Sequence, residues 1–479
     1  MLFNSISFVI FFPIVLLAYF LMPVRFRKVW LLITNYFYYM CQGPVYALLL
    51  LYSTITTYGA GLLTGRFRDN EKAKKCTLFG AVVLNLGILF YFKYFNFFMD
   101  NIGIDPGFRV ILPVGISFYV FQVIGYIADV YRGKIEPEKD PVRYALFVSF
   151  FPQILAGPIG RAPELLPQFD EIHEFDYDRV RHGMLRMLWG YFMKLVIASR
   201  LSIAVELIFE NYSSCSGWQL LLGAAAYSVQ IYCDFASYSI LALGTAEILG
   251  FRLIENFRQP FLAVSLADLW RRWHISLMNW FRDYVYIPLG GSRKGTVRKH
   301  LNTLIVFTLS GLWHGAAWTY VMWGFLSGVL QIIGTLTKPI RLRITEMSPW
   351  KSDIAHGIHV FYQRIVTFLL FTFTVVFFKA PDIPTALGII RGVFTDMHVS
   401  DILSRQIFQI GLGVKNLAIV AVMMAVLFAV DSINEKTGDA AQVLLSKKWY
   451  IRWVVYYFFV IMILCSANIG AAQFIYFNF

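Results

Sequence analysis

Asp268-Leu-Trp-Arg-Arg-Trp-His-Ile-Ser-Leu-Met-Asn-Trp-Phe-Arg-Asp opens the stretch that decides the fold, and Leu309-Ser-Gly-Leu-Trp-His-Gly-Ala-Ala-Trp closes it. The stretch holds two histidines forty positions apart, His274 and His314. The first lies among tryptophans and arginines, and the second lies in an apolar run next to a glycine. Ionisable groups are costly at membrane depth, so both histidines are candidate functional residues.

The composition around this stretch is typical of a membrane protein. Of the 479 residues, 58% are hydrophobic and only 15% are charged, whereas a soluble domain carries about 25% charged residues. Runs of ~20 apolar residues span a bilayer, and the chain holds about ten of them. The predicted fold class is therefore all-α, a single multi-pass transmembrane helical bundle over residues 1–479, with about 10–12 spans.

The formal net charge of +13 arises from Lys and Arg that concentrate in short loops between the apolar runs. This is the positive-inside pattern of a protein of the cytoplasmic membrane, and it does not favour a nucleic-acid partner. It predicts a cytoplasmic 252–300 region, and it places the N-terminus, residues 380–415 and the C-terminus outside. The first apolar run lacks a basic leader and a cleavage site, so we expect a retained helix rather than a signal peptide.

Cysteine spacing and catalytic motifs exclude several classes of site. The five cysteines include no C-x-x-C pair, so the sequence predicts neither a disulfide framework nor a metal site. There is no G-x-S-x-G elbow, no H-E-x-x-H motif and no Walker loop, which argues against the serine hydrolase, zinc protease and nucleotide-hydrolase classes.

Residues 147–160 are apolar but too short to span a bilayer comfortably. Within them, Phe150-Phe-Pro-Gln-Ile-Leu-Ala-Gly-Pro-Ile-Gly combines two prolines with two glycines. A second Pro-Gly pair, Leu112-Pro-Val-Gly, precedes another apolar run. Irregular backbone is tolerated at membrane depth only where protein or a cavity surrounds it. We therefore predict a re-entrant or broken segment over 147–160.

The 252–300 region is basic and amphipathic, with nine Lys or Arg against three acidic residues. Helical spacing from Leu269 predicts one face with the side chains of Trp270, Trp273, Leu277, Trp280 and Phe281. His274 falls at the edge of that face. The pattern predicts a helix that lies along the cytoplasmic interface with its aromatic side inserted into the membrane.

Residues 301–336 are predicted to form a helical hairpin with both ends on the cytoplasmic side. Apolar residues 301–313 lead to His314-Gly315, and a second apolar run follows to Leu336. Thirteen residues at ~1.5 Å each rise only ~20 Å, less than the ~30 Å hydrocarbon core. His314 should therefore lie within the bilayer or at the floor of an external funnel.

A buried imidazole is a suitable general base, because burial keeps it neutral. His314 would take a proton from an acceptor hydroxyl, unless it is a core histidine bound to a carbonyl. His274 would orient a donor group or stabilise charge on its carbonyl, or it is an interfacial histidine beside arginines. The Arg271–Arg272 pair would hold phosphates, or it is only a positive-inside anchor. Asp234, a lone carboxylate in apolar company, should face the bundle interior.

Seven motifs, in order over nearly the whole chain, resemble those of the membrane-bound O-acyltransferase family, in particular its bacterial alginate O-acetylation branch, with teichoic acid D-alanyltransferases as more distant cousins. They are Leu112-Pro-Val-Gly-Ile-Ser-Phe-Tyr, Phe151-Pro-Gln-Ile-Leu-Ala-Gly-Pro, Asp234-Phe-Ala-Ser-Tyr-Ser, Glu255-Asn-Phe-Arg-Gln-Pro-Phe, Leu269-Trp-Arg-Arg-Trp-His-Ile-Ser-Leu, Tyr286-Ile-Pro-Leu-Gly-Gly and Leu312-Trp-His-Gly. Two positions depart from the pattern, Ala236 for an expected Gly and Ile240 for an expected Asp, and both bear on the substrate rather than on the reaction.

The resemblance implies an O-acyltransferase, most simply an O-acetyltransferase, with His314 as the catalytic histidine and His274 at the second catalytic position. The substrate contacts expected around them are Trp273, Arg271, Arg272, Trp313, Asp234 and Asn279. No bound cofactor is expected, and acetyl-CoA is the simplest donor, with a carrier-protein thioester as the other choice. The expected partners are membrane lipid, a polysaccharide acceptor and an extracytoplasmic acetyltransferase of the secreted hydrolase-like type.

A transporter or flippase is the alternative interpretation, with His314 and Asp234 as proton-relay groups. Many transporters contain internal repeats, and none is visible in this sequence. The residues alone do not decide between alginate, cellulose, peptidoglycan and other glycans as the modified polymer.

Overall fold

The computed structural model describes residues 1–155, 157–347, 353–404, 408–411 and 413–466, and within them it contains helices and no strand. The helices of the first half are α1 (Ile6–Leu21), α2 (Val24–Met40), α3 (Tyr46–Arg66), α4 (Glu71–Ile102), α5 (Ile116–Tyr131), α6 (Pro141–Ser149), α7 (Phe151–Ile154), α8 (Ala162–Leu165), α9 (Tyr177–Tyr191), α10 (Ser199–Glu210) and α11 (Gly217–Leu249). Those of the second half are α12 (Leu266–Arg272), α13 (Ile275–Phe281), α14 (Thr296–His314), α15 (Trp318–Leu336), α16 (Lys338–Met347), α17 (Asp353–Lys379), α18 (Ile383–Thr395), α19 (Val399–Leu403), α20 (Val414–Thr437), α21 (Ala440–Leu445) and α22 (Trp449–Ser466).

Several of these helices are long and apolar enough to cross a membrane. Among the described residues, five meet that standard by length and composition: α3, α4, α15, α17 and residues Lys415–Thr437 of α20. Four shorter helices, α1, α5, α18 and α22, are also apolar. The all-α membrane architecture is thus confirmed. The number of spans and the orientation of the chain stay predictions, and the expected external C-terminus lies outside the described residues.

The contacts divide the chain into two compact units. The first comprises Met1–Met187 and Tyr238–Glu255, and the second comprises Leu188–Ser237 and Asn256–Phe479. The expectation of a single membrane domain over residues 1–479 stays a prediction. Both candidate catalytic histidines belong to the second unit.

In the first unit, the predicted broken segment is present and buried. α6 ends at Ser149, Phe150 breaks the helical path, and α7 starts at Phe151. The freed backbone is satisfied by protein, because the N–H of Phe151 donates to Oδ1 of the buried Asn35 at 3.0 Å. Gly115, with φ +82°, lies so close to this segment that a Cβ would come within 2.5 Å of the Ile154 carbonyl oxygen. Irregular backbone is therefore enclosed by protein, as the bilayer requires.

In the second unit, α14 and α15 form the predicted hairpin. Two glycines face each other where the helices cross: a Cβ on Gly311 would lie 2.2 Å from the Tyr320 carbonyl oxygen, and one on Gly324 would lie 2.3 Å from the Phe307 carbonyl oxygen. Small residues allow helix backbones in membranes to approach closely. The turn of residues 315–317 follows His314 directly, so the hairpin fixes where that imidazole lies.

The predicted single amphipathic helix from Leu269 is wrong. The chain forms two short helices instead, α12 and α13, which meet at Trp273 and His274. His274 adopts φ +45°, in the left-handed region, and a residue there cannot continue a right-handed helix. The residues around it contain neither glycine nor proline, so no local pattern indicated this break.

The predicted aromatic face is buried, but against protein rather than against the membrane interface. All of its members are buried: Trp270, Trp273, Leu277, Trp280 and Phe281. Trp270 packs edge-on against Phe307, with ring centroids 5.2 Å apart, and Trp273 lies 4.9 Å from Phe371. His274, predicted at the edge of the face, is only 1% exposed.

The close approach of α14 and α15 makes Gly324 the most sensitive position of the hairpin. We expect Gly324→Ala to lower stability by about 1–3 kcal/mol, because the added methyl forces two backbones apart. Gly334→Ala on the same helix is the matched control, since nothing lies within 4 Å of its Cβ position, and it should be stabilising by up to about 1 kcal/mol. Thermal unfolding of both purified variants in detergent measures the difference. Equal melting temperatures would contradict this account of the crossing.

Candidate active site

The turn that carries His274 is held by one buried residue, Asn256, through both its backbone and its side chain. The backbone carbonyl of Asn256 accepts from the Ile275 N–H at 2.9 Å. Its Oδ1 accepts from the Ser276 hydroxyl at 2.6 Å and from the Ser276 N–H at 3.3 Å. A non-glycine residue with positive φ persists only where its surroundings fix it, and such residues cluster at functional sites. Asn256 therefore acts as the support of His274.

His314 is the last residue of α14 and is 3% exposed. Its ring centroid lies 6.1 Å from that of His274. The two histidines, forty positions apart in sequence, thus form one buried pair in the second unit. The structure brings together the two residues predicted as catalytic.

Aromatic rings surround this pair. Around His314 they are those of Trp313, Trp323 and Phe378, at centroid distances of 5.1, 5.2 and 5.3 Å. Around His274 they are those of Phe235 at 4.6 Å and Trp313 at 5.8 Å. We call these four side chains, Phe235, Trp313, Trp323 and Phe378, the aromatic cluster. It excludes water from the imidazoles, which strengthens electrostatic interactions in their vicinity.

Burial sets the protonation state of His274, which lies outside the membrane-spanning helices. Desolvation lowers the pKa of this imidazole from its ordinary value to about 3. Its folded-state pKa lies far below neutrality, so His274 is neutral at physiological pH. A neutral imidazole both accepts and donates a hydrogen bond, and it is suited to orienting a polar group without adding charge.

The predicted interior carboxylate, Asp234, is 3% exposed and forms an ion pair with Lys194, which is 2% exposed. Lys194 lies on a π-helical turn, Phe192–Ala198, a feature frequent at functional sites. The next residue, Phe235, belongs to the aromatic cluster. Asp234 therefore lies one residue from the site, and the contact shown for its carboxylate is with Lys194.

The remaining predicted substrate contacts divide into near and distant ones. Trp313 belongs to the aromatic cluster, and Trp273 precedes His274 and packs on Phe257 and Phe371.

Arg271 is exposed, and Arg272 donates hydrogen bonds to the carboxylates of Asp268 at 3.2 Å and Glu435 at 2.6 Å. These bonds raise the pKa of Arg272 and engage its guanidinium.

Asn279 is half-buried on α13, one turn after His274. Within the described ranges, its side chain forms no hydrogen bond with either histidine. No group of three His, Cys, Asp or Glu side chains in the described part of the chain is placed to hold a metal ion.

Five residues of this region were not predicted from the sequence: Lys194, Phe235, Asn256, Trp323 and Phe378. Asn256 lies within Glu255-Asn-Phe-Arg-Gln-Pro-Phe, a motif that carried the family resemblance, so a signal existed. Trp323 follows His314 by nine positions, in the apolar second arm of the hairpin. Lys194 and Phe378 reach the site only through tertiary packing, which spacing along the chain does not reveal.

A helical membrane protein with two adjacent buried histidines, and with no serine or metal motif, has the groups that a base-assisted transferase needs. Comparison with known proteins narrows that class. A family model of the membrane-bound O-acyltransferases matches residues 139–378. This chain belongs to that family, as its motif order predicts, and it is an O-acyltransferase of the membrane.

Three relatives indicate the branch. The chain is similar to the probable alginate O-acetylase AlgI of Pseudomonas putida, with 35% identity over 89% of this chain and 87% of the relative. It is 30% identical to the peptidoglycan O-acetyltransferase of Helicobacter pylori over 82% of this chain and 80% of the relative. It is 28% identical to the teichoic acid D-alanyltransferase of Bacillus subtilis over 56% of this chain and 71% of the relative. These relatives lend no support to the transporter alternative.

The Lys194–Asp234 pair yields a prediction about folding. Asp234→Ala removes the carboxylate that faces a buried ammonium, and breaking a buried pair costs about 3–5 kcal/mol. We therefore expect a fall in folded yield, measured by size-exclusion chromatography in detergent. The double variant Lys194→Met/Asp234→Leu removes both charges and should recover much of that yield, because apolar replacement of a buried pair is often neutral. A normally folded but inactive Asp234→Ala protein would instead place Asp234 in the chemistry.

Proposed function

We propose that this protein is an O-acetyltransferase that moves an acetyl group from a cytoplasmic thioester donor toward hydroxyls of an exported polysaccharide. The observation that carries the proposal is the buried pair of His274 and His314 at the turn of a membrane hairpin. The relatives named for alginate and peptidoglycan O-acetylation support the choice of acetyl and of a polysaccharide.

His314 is the general base in this proposal. Its imidazole takes the proton of the acceptor hydroxyl while the hydroxyl oxygen attacks the carbonyl carbon of the thioester. The carbon–sulfur bond then breaks, and the same proton passes to the leaving thiolate. A base positioned in this way contributes typically ~10²–10⁴-fold to the rate. The aromatic cluster keeps water away, which favours transfer to a sugar hydroxyl over hydrolysis of the donor.

His274 is the orienting residue of the pair. Its low pKa keeps it neutral, and Asn256 fixes its backbone, so it presents the same hydrogen-bonding edge in every turnover. An Asn side chain offers an acceptor and a donor of comparable reach. This position therefore requires a polar group more than it requires a base.

Acetyl-CoA is the proposed donor, because it is the simplest acetyl thioester of the cytoplasm. The excess of Lys and Arg over 252–300 supports a cytoplasmic position for that region and for donor arrival. Within it, Arg271 is exposed and fits an anionic donor better than Arg272, which Asp268 and Glu435 already engage. A carrier-protein thioester would dock on the same basic surface.

The acceptor reaches His314 from the external side in this proposal, with the N-terminus and the 380–415 region outside. The hydroxyl belongs either to the polymer or to a serine of an extracytoplasmic acetyltransferase that completes the transfer. Both acceptors present an alcohol, so the chemistry at His314 is the same.

Substitution of the two histidines tests the proposal. We expect His314→Ala and His314→Gln to abolish detectable acetylation, because glutamine keeps a hydrogen bond but accepts no proton. We expect His274→Asn to retain part of the activity. The readout is the acetyl ester content of exported polymer in a strain that lacks the chromosomal gene, normalised to the membrane level of each variant.

His398→Gln is the control, since His398 is exposed and lies outside the proposed site, and it should acetylate as the unchanged protein does. Near-normal acetylation by His314→Gln at normal protein level would overturn the general-base assignment. Absence of acetyl ester with the unchanged protein would overturn the function itself.

A further inference from the structure

Two indole N–H groups near His314 are buried without a hydrogen-bond acceptor. The Nε1 atoms of Trp270 and Trp323 are inaccessible to solvent, and neither donates a hydrogen bond to any atom of the described residues. The two side chains are 6% and 4% exposed. A buried donor left without an acceptor costs about 1–3 kcal/mol, and such groups are rare enough in native proteins to require an explanation.

The position of Trp323 suggests that explanation. Its ring stands edge-to-face on the imidazole of His314, with centroids 5.2 Å apart. Trp270 is the next ring, 5.9 Å from Trp323, and both lie in the second unit. Two indole donors without a hydrogen-bond partner thus lie on neighbouring rings, and the nearer ring contacts His314.

Acyl transfer at His314 needs an electrophilic partner for the base. When the hydroxyl attacks, the carbonyl oxygen gains negative charge, and preorganised donors at that oxygen are commonly the largest single contribution to catalysis. An indole N–H is a donor only, carries no charge, and suits an apolar site where a cation would be costly to bury.

We propose that the Nε1–H of Trp323, assisted by that of Trp270, donates to the carbonyl oxygen of the acyl group and forms the oxyanion site of this enzyme. The inference rests on the proposed acetyl transfer at His314 and assigns it two further catalytic residues. It gives the unpartnered donors an acceptor, which is present only when the donor substrate is bound.

The acceptor oxygen forms a bond to the carbonyl carbon, its proton moves to His314, and the carbonyl electron pair moves onto the oxygen that Trp323 and Trp270 hold. The carbonyl then re-forms, the carbon–sulfur bond breaks with its electron pair on sulfur, and His314 returns the proton to give a thiol and an ester.

A packing role is the competing explanation. Trp323 also lies edge-on to Phe378 at 5.3 Å, and an indole N–H directed at an aromatic face gains a weak interaction. If packing were its role, activity would depend on the shape of the ring and not on the N–H. A test must therefore remove the N–H while keeping the shape of the ring.

Replacement of Trp323 by 3-benzothienylalanine, in which sulfur takes the place of the N–H, meets that requirement, and Trp323→Phe provides a genetically encoded companion. The readout is the initial rate of acetyl ester accumulation in exported polymer per unit of membrane protein, with the melting temperature in detergent as the measure of folding. We expect the isostere to lower the rate ~10²–10³-fold, the effect of losing one oxyanion donor, with an unchanged melting temperature. Trp270→Phe should lower the rate less. Trp449→Phe, at an exposed tryptophan of α22, should leave it unchanged.

If the protein with the isostere acetylates at a rate within threefold of the unchanged protein, the inference is wrong. This holds even if Trp323→Phe is unstable, because that instability would show only that the ring is needed for packing. Measuring His314→Gln in the same way distinguishes failure of this inference from failure of the proposed function. If the isostere is active while His314→Gln is inactive, only the oxyanion assignment falls. If His314→Gln is active as well, both assignments fall.

Discussion

The helices α14 and α15 cross so closely at Gly311 and Gly324 that neither position has room for a Cβ atom. In a membrane, apolar side chains gain little by leaving lipid for protein, so helix pairs depend on backbone contact and on packing of this kind. The crossing fixes the turn of residues 315–317. The imidazole of His314 at the end of one arm and the indole of Trp323 in the other arm are thereby held together.

The break at His274 brings the second half of the site to this hairpin. A left-handed histidine is strained, and the three hydrogen bonds from Ile275 and Ser276 to Asn256 hold the backbone in that conformation. The two short helices that this break creates pack their tryptophans on the hairpin and on α17. The result is a water-poor environment in which three successive ring contacts connect both imidazoles and the two indoles. Low polarity makes each of those few polar atoms more effective than it would be in water.

The sequence predicted the parts of this arrangement that depend on local pattern. The apolar runs before and after His314-Gly315 were enough to predict the hairpin, and Phe150-Phe-Pro-Gln with its following Gly-Pro was enough to predict a broken segment. The break at Trp273 and His274 was missed because helical spacing of aromatics looks the same whether the helix is continuous or divided. The pairing of Lys194 with Asp234, and of His314 with Phe378, depends on tertiary packing between residues 40 and 64 positions apart. The aromatic face from Trp270 to Phe281 was read as membrane-inserted because hydrophobicity does not distinguish a lipid from a protein neighbour.

Sealed membrane vesicles of defined orientation test the central claim, that acetyl groups pass through a buried site at His314 from a cytoplasmic donor to an external acceptor. Acetyl-CoA labelled in the acetyl group is supplied to vesicles whose cytoplasmic face is outward and whose lumen contains the polymer. We expect labelled ester in the lumen, dependent on His314, and none when the donor is supplied only to the external face of right-side-out vesicles. Equal labelling from either face, or luminal labelling that persists with His314→Gln, would contradict it.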